Sequence, residues 1–132
     1  MTRRRVVLDT GALDRADDGE LHERIQGYAT RGWTPTIPTV TLAQALGGPN
    51  DAKIDRVLGR FGTVDTDPRT ARLAGALRAS TRRENGRPTP SGIDAIVAAH
   101  AVDADRAVVL TTDPKDLERL LVDLPHVVVE RA

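Results

Sequence analysis

The chain has 132 residues, no cysteine, and 19 basic against 19 acidic side chains, so its formal net charge is zero. The length suits a single domain over residues 1–132, the 39% hydrophobic and 29% charged content excludes a largely disordered chain, and the missing cysteines exclude disulfides and thiolate metal sites. A neutral total offers no global field to nucleic acid or membrane, and the basic start runs into an apolar stretch too short for a signal peptide or a membrane span, which fits a protein of the reducing cytoplasm.

Val6, Val7 and Leu8 form an apolar run without polar alternation, the pattern of a strand buried on both faces, and the run ends in Asp9-Thr10-Gly11. The polar stretch from Ala12 to Gly19 reads as a loop or short turn. Leu21, Ile25 and Tyr28 recur at helical spacing and predict a helix over roughly 19–30. Trp33 to Ile37 reads as a second strand closed by Pro38. Thr39 is then placed to cap a helix whose inward face is Val40, Ala43 and Leu46 or Gly47, ending at Gly47-Gly48.

Ile54, Val57, Leu58 and Phe61 mark a helix over about 51–60, and Thr63 to Thr66 reads as a weak strand. Asp67-Pro68 opens a helix to about Arg83, with small residues at Ala71, Ala74, Gly75 and Ala79 that permit another helix to approach closely. Glu84 to Pro90 is a loop. Ser91 opens a helix through about Ala104 with Ile93, Ile96, Val97 and Ala101 inward; Ala107 to Leu110 is the second strongly apolar strand; 114–122 is a helix and 127–129 a last strand. Strands separated by helices imply an α/β fold with a mostly parallel sheet.

Asp9 and Asp113 both follow the strongest apolar strands, where parallel sheets gather their chemistry at the carboxyl ends. Asp94 lies in the first turn of a helix, and Asp116 one turn into the helix after Asp113. Each has an ordinary explanation as well: an Asx turn at Asp9, a capping box over Ser91–Asp94, and an N-cap at Asp113 with proline at N1 and Asp116 at N3. Together they make a cluster whose charges coexist only with a cation, and oxygen ligands without cysteine or paired histidines favour Mg²⁺ or Mn²⁺ over zinc. His22, His100 and His126 lack ligand spacing.

Four ordered segments resemble the motifs of PIN-domain ribonucleases: Val6-Val7-Leu8-Asp9-Thr10, Ile37-Pro38-Thr39-Val40-Thr41-Leu42-Ala43-Gln44, Ile93-Asp94-Ala95-Ile96-Val97-Ala98-Ala99-His100-Ala101, and Leu110-Thr111-Thr112-Asp113-Pro114-Lys115-Asp116-Leu117. Within that family the likeness is greatest to VapC toxins of type II toxin–antitoxin modules. The resemblance implies a three-layer α/β sandwich around a parallel sheet of about five strands, and a Mg²⁺- or Mn²⁺-dependent endoribonuclease in which a held metal activates water against a phosphodiester. By motif it assigns Asp9, Asp94 and Asp113 to the metal, Asp116 to an accompanying catalytic acid, and Thr10 and Thr112 to hydroxyls lining the site. It also implies a homodimer inhibited by a VapB-type antitoxin.

One position departs from the pattern. The helix after the second strand usually supplies a Glu, and Gln44 stands there, keeping a neutral oxygen but losing a charge and a base. A natural variant working with fewer acids, a weakened or binding-only relative, and a substitution made to allow a toxic enzyme to be produced are the three readings; the ordinary helical sequence around Gln44 favours the first. Arg78, Arg82, Arg83 and Arg87 cluster just ahead of Asp94 and are candidates for RNA phosphates, whereas Tyr28, Trp33 and Phe61 are too few and too core-like for a base-stacking platform. A phosphotransferase with Asp9 as nucleophile, of the haloacid-dehalogenase kind, needs a second acid where Gly11 stands.

Overall fold

The apolar runs become the central strands. β1 (Arg4–Leu8) and β4 (Arg106–Thr111) lie side by side in parallel, with Val7 opposite Val109 and Leu8 opposite Leu110. β2 (Thr34–Pro38) pairs with the other edge of β1, β3 (Gly62–Val64) with β2, and β5 (Val127–Arg131) with β4, giving an all-parallel sheet in the order β3-β2-β1-β4-β5. The chain builds outward from β1 in one direction, then returns to β4 on its other side. The crevice between the carboxyl ends of β1 and β4 is therefore the topological switch point of the sheet. The coordinates are a computed structural model and describe residues 2–81 and 87–132.

Strand alternation divides the core. Val6, Leu8, Val108 and Leu110 face one side, against α1 (Thr10–Arg15), α2 (Gly19–Thr30) and α4 (Asp51–Leu58), whose Leu13, Leu21, Ile25, Ile54 and Val57 are buried there with Phe61. Val7, Ala107 and Val109 face the other side, covered by α5 (Pro68–Thr81), α6 (Gly92–Val102) and α7 (Lys115–Leu120). Each fully buried Leu, Ile or Val side chain contributes about 1.5–3 kcal/mol, so these two layers outweigh any single cap or ion pair in holding the sandwich together. α6 is buried nearly all round, with Ala95, Val97, Ala98, Ala99 and Ala101 at 0% exposure, because small side chains let it lie close against the sheet and α5.

Four local expectations change. The stretch after Gly11 is not simply loop: α1 forms there, started by Asp9 and anchored by Ala12 and Leu13. In α3 (Thr39–Ala45) the cap position falls on Pro38, and the inward residue is Thr41, with Leu42 and Ala45 partly buried, while Ala43 and Leu46 are exposed. The reason is polar: the Thr41 hydroxyl lies 2.9 Å from the Pro38 carbonyl and 3.3 Å from that of Leu8, serving carbonyls at the ends of β2 and β1. Of the small residues on α5 only Ala74 faces α6; Ala71, Gly75 and Ala79 face outward. The cap position of α7 is Pro114, without a side-chain cap bond, so Asp113 is not an N-cap. Among the described residues no helix is long and apolar enough to cross a membrane.

Candidate acidic site at the carboxyl edge of the sheet

Asp9 leaves β1 at the switch point with 9% of its surface exposed. Its main-chain N–H donates to the Leu110 carbonyl at 3.0 Å, extending the β1–β4 register by one step. One carboxylate oxygen accepts from the Thr10 N–H at 2.8 Å, capping α1 rather than closing an Asx turn, and the other accepts from the buried Thr111 hydroxyl at 2.9 Å. Thr111 Oγ1 in turn accepts the Asp113 N–H at 3.1 Å. One hydroxyl thus ties the ends of both central strands to the first acid. A carboxylate has about four acceptor positions, so these two bonds leave Asp9 capacity for a ligand.

Thr111, not Thr112, orients Asp9. Alternation explains it: Asp9 is two residues beyond Val7, and Thr111 two beyond Val109, on the sheet face covered by α6. Thr112 is exposed and serves the site differently. A Cβ placed on Gly11 would come within 2.0 Å of Thr112 Oγ1, so the turn after Asp9 and the turn after β4 approach one another only because residue 11 has no side chain. Thr10 donates from Oγ1 to Gln44 Oε1 at 2.5 Å, which brings Gln44 of α3 to the same edge.

α6 supplies the third side. Ser91 is its N-cap and accepts the Asp94 N–H at 3.1 Å, confirming the cap and fixing Asp94 in the first turn. Burial, and next the charge of Asp9, push the Asp94 carboxyl above the ordinary carboxylate range; Asp116 and Asp113 add to the push and Ser91 opposes it. The four acids therefore share one electrostatic neighbourhood. Asp113 is exposed, and Asp116 accepts from Arg119 at 3.0 Å within α7, where the Arg119 side chain is only 12% exposed and also donates to the Pro88 carbonyl at 2.9 Å.

The donor set is all oxygen, carboxylates with a neutral amide beside them, and its mutual repulsion is what a hard divalent cation relieves. As placed, no three acidic or histidine side chains among the described residues stand close enough to hold one ion together. Asp9 is tied by its two hydrogen bonds and Asp116 by Arg119, so closing the cluster falls to Asp94 and to the exposed side chain of Asp113.

The cationic candidates separate. Arg78 is half-buried and spends its Nε on the Pro90 carbonyl at 2.9 Å, bracing the approach to α6. Arg87 is exposed beside α7, and Arg82 and Arg83 lie outside the described residues. Of the histidines, His100 is buried with Nε2 3.3 Å from Thr66 Oγ1; burial, then Arg5, lower its pKa, and it belongs to the core behind the site.

No family profile matches the chain, and no curated protein sequence does. Solved structures do. A chain of the VapBC2 complex of Rickettsia felis, bound to a promoter DNA fragment, aligns with a TM-score of 0.72 at 20% identity over 97% of this chain and 98% of that one. DNA-bound VapBC from Salmonella typhimurium gives 0.68 at 22% identity, over 99% and 98%, and VapBC-1 from Haemophilus influenzae 0.63 at 20% identity, over 96% and 97%. The similarity is one of fold along the whole length, and the PIN-like α/β sandwich implied by the sequence motifs is the architecture observed.

Proposed function

We propose that this chain is a metal-dependent endoribonuclease acting as the VapC-like toxin of a toxin–antitoxin module, with RNA as substrate and a VapB-type antitoxin as partner. What supports the reading is Asp9 at the switch point of the sheet and Asp94 near enough to feel the charges of Asp9, Asp116 and Asp113, in a fold similar to that of chains in VapBC complexes. Asp9, Asp94 and Asp113 would hold Mg²⁺ or Mn²⁺, which when bound supplies a water of lowered pKa and neutralises charge growing on phosphate oxygens.

The chain's own residues do the rest. Thr111 and the Thr10 N–H hold both oxygens of Asp9 in place, so that ligand need not be ordered on binding. Burial and the neighbouring acids disfavour the Asp94 charge, which a cation there would stabilise. Arg119 holds the Asp116 carboxylate at the rim, and Gln44 Oε1 fixes the Thr10 hydroxyl.

A binding-only protein is the second reading. The observations favouring it are Gln44 at the place of an acid and the absence of a closed three-ligand cluster among the described residues. RNA cleavage separates the two: an end-labelled panel of transfer and ribosomal RNAs incubated with Mn²⁺ is cut by the nuclease and spared by the binding protein. In the nuclease reading Gln44→Glu raises divalent affinity in a titration; unchanged affinity removes Gln44 from the metal's surroundings.

A further inference from the structure

Beside the acids a cleft of about 740 Å³ opens between the segment starting at Arg87 and α7, within the size range of ligand pockets. Asp116 lines both this cleft and the acidic site. The other walls are Arg87 and Pro88, Val122, Lys115 and Glu118, and the Arg119 guanidinium. Arg119 builds the cleft: its Nη1 reaches the Pro88 carbonyl at 2.9 Å and Asp116 at 3.0 Å, joining the two walls. Val122 is 74% exposed and lines the cleft, so apolar surface is open to a ligand there. With Asp116 answered by Arg119, Lys115 and Glu118 are two exposed charges of opposite sign on the α7 wall, and Lys115 has no carboxylate partner among the described residues.

We infer that this cleft seats one nucleotide of single-stranded RNA next to the bond to be cut, its base against Pro88 and Val122, its phosphate at Lys115, and its base edge read by Glu118. The inference rests on the nuclease reading for its place beside the scissile bond, but not for the binding itself. A carboxylate in a phosphate-binding cleft is unfavourable unless it meets donors, and base edges supply them: an ionised Glu accepts from the exocyclic amine of cytosine or adenine and meets only carbonyl oxygens and one N–H on uracil. Glu118 therefore makes the cleft selective for amino-bearing bases, and Lys115 contributes affinity without sequence preference.

The test is fluorescence anisotropy with fluorescein-labelled octamers of cytidine, adenosine or uridine, in chelator, so that binding is read without cleavage. Wild type is expected to bind the cytidine and adenosine octamers at least about fivefold more tightly than the uridine octamer. Glu118→Gln should collapse that preference. Lys115→Ala should weaken all three equally and flatten the slope of log K against log salt by about 0.7, the share of one phosphate contact on a single strand. Val122→Glu should weaken all three. These positions are exposed, and thermal melts of each variant check the fold. Equal affinity of wild type for the three octamers, no RNA binding by wild type, or an unchanged salt slope in Lys115→Ala overturns the inference. Metal-dependent RNA cleavage, measured in parallel, shows separately whether the nuclease reading stands.

Discussion

Thr111 makes the most consequential single contact at the site, and its removal has a calculable cost. Thr111→Val keeps the β-branched shape at a position with no exposed surface but deletes the hydroxyl that donates to Asp9 and accepts the Asp113 N–H. A hydrogen bond to a charged group contributes about 1.5–3 kcal/mol and a neutral one about 0.5–1.5, so the expected loss is roughly 2–4 kcal/mol. Asp9 keeps some contact with water at 9% exposure, which places the value at the lower end. Urea denaturation with the midpoint and slope fitted separately measures it. Thr111→Ser retains the hydroxyl and drops a methyl, for a loss of about 1 kcal/mol. A valine variant within about 0.5 kcal/mol of wild type, beyond which surface-like effects end, or a serine variant as unstable as the valine one, would refute the assignment of Thr111 as the residue that holds Asp9.

Gly11→Ala forces a Cβ onto Thr112 and should cost about 1–3 kcal/mol as overpacking, with most of the loss recovered in Gly11→Ala/Thr112→Ala; an additive pair in the double-mutant cycle contradicts the close approach. Asp94 has a folded-state pKa above its unfolded value of 3.8, so the folded chain binds that proton more tightly and, without divalent ions, stability from this group rises as pH falls through the folded value toward the unfolded one. Asp94→Asn should raise the metal-free melting temperature at neutral pH and abolish the further rise on adding Mn²⁺; a melting temperature that still climbs with Mn²⁺ in the variant counts against Asp94 as a ligand. His100 has the opposite sign: its folded pKa lies below the unfolded 6.5, so its stabilisation is complete above that pH and is lost as pH falls through the folded value. His100→Gln should remove that part of the stability-against-pH curve, and a variant with an unchanged curve shows that another group titrates.

The parts of the fold readable from the sequence were those governed by periodicity within one element. Val6–Leu8 and Ala107–Leu110 carry enough uninterrupted apolar character to be buried parallel strands, and both end beside acids, so the location of the candidate site followed from them. α1 was hidden because its six residues are held by the Asp9 contact and the packing of Leu13, not by a long amphipathic stripe. α3 was turned the wrong way because the Thr41 hydroxyl serves carbonyls of two strand ends, a demand that hydropathy does not register.

Thr111 was legible in principle: carrying the in-and-out alternation one step past Val109 selects it over Thr112. Arg78 on Pro90 and Arg119 on Pro88 were not, because partners 12 and 31 residues away meet only once the helices are docked. Arg78 also braces the fold through its Nε, a contact that its place in the sequence does not announce.

The central claim is that the acids at the switch point cut RNA through a divalent metal, and cleavage of end-labelled RNA tests it most directly. Wild type is assayed with Mn²⁺, with Mg²⁺ and with chelator, beside Asp94→Asn purified identically. The account predicts fragments that require the metal and vanish in the variant. Intact RNA under every condition, or fragments that appear equally in chelator or with Asp94→Asn, would contradict it.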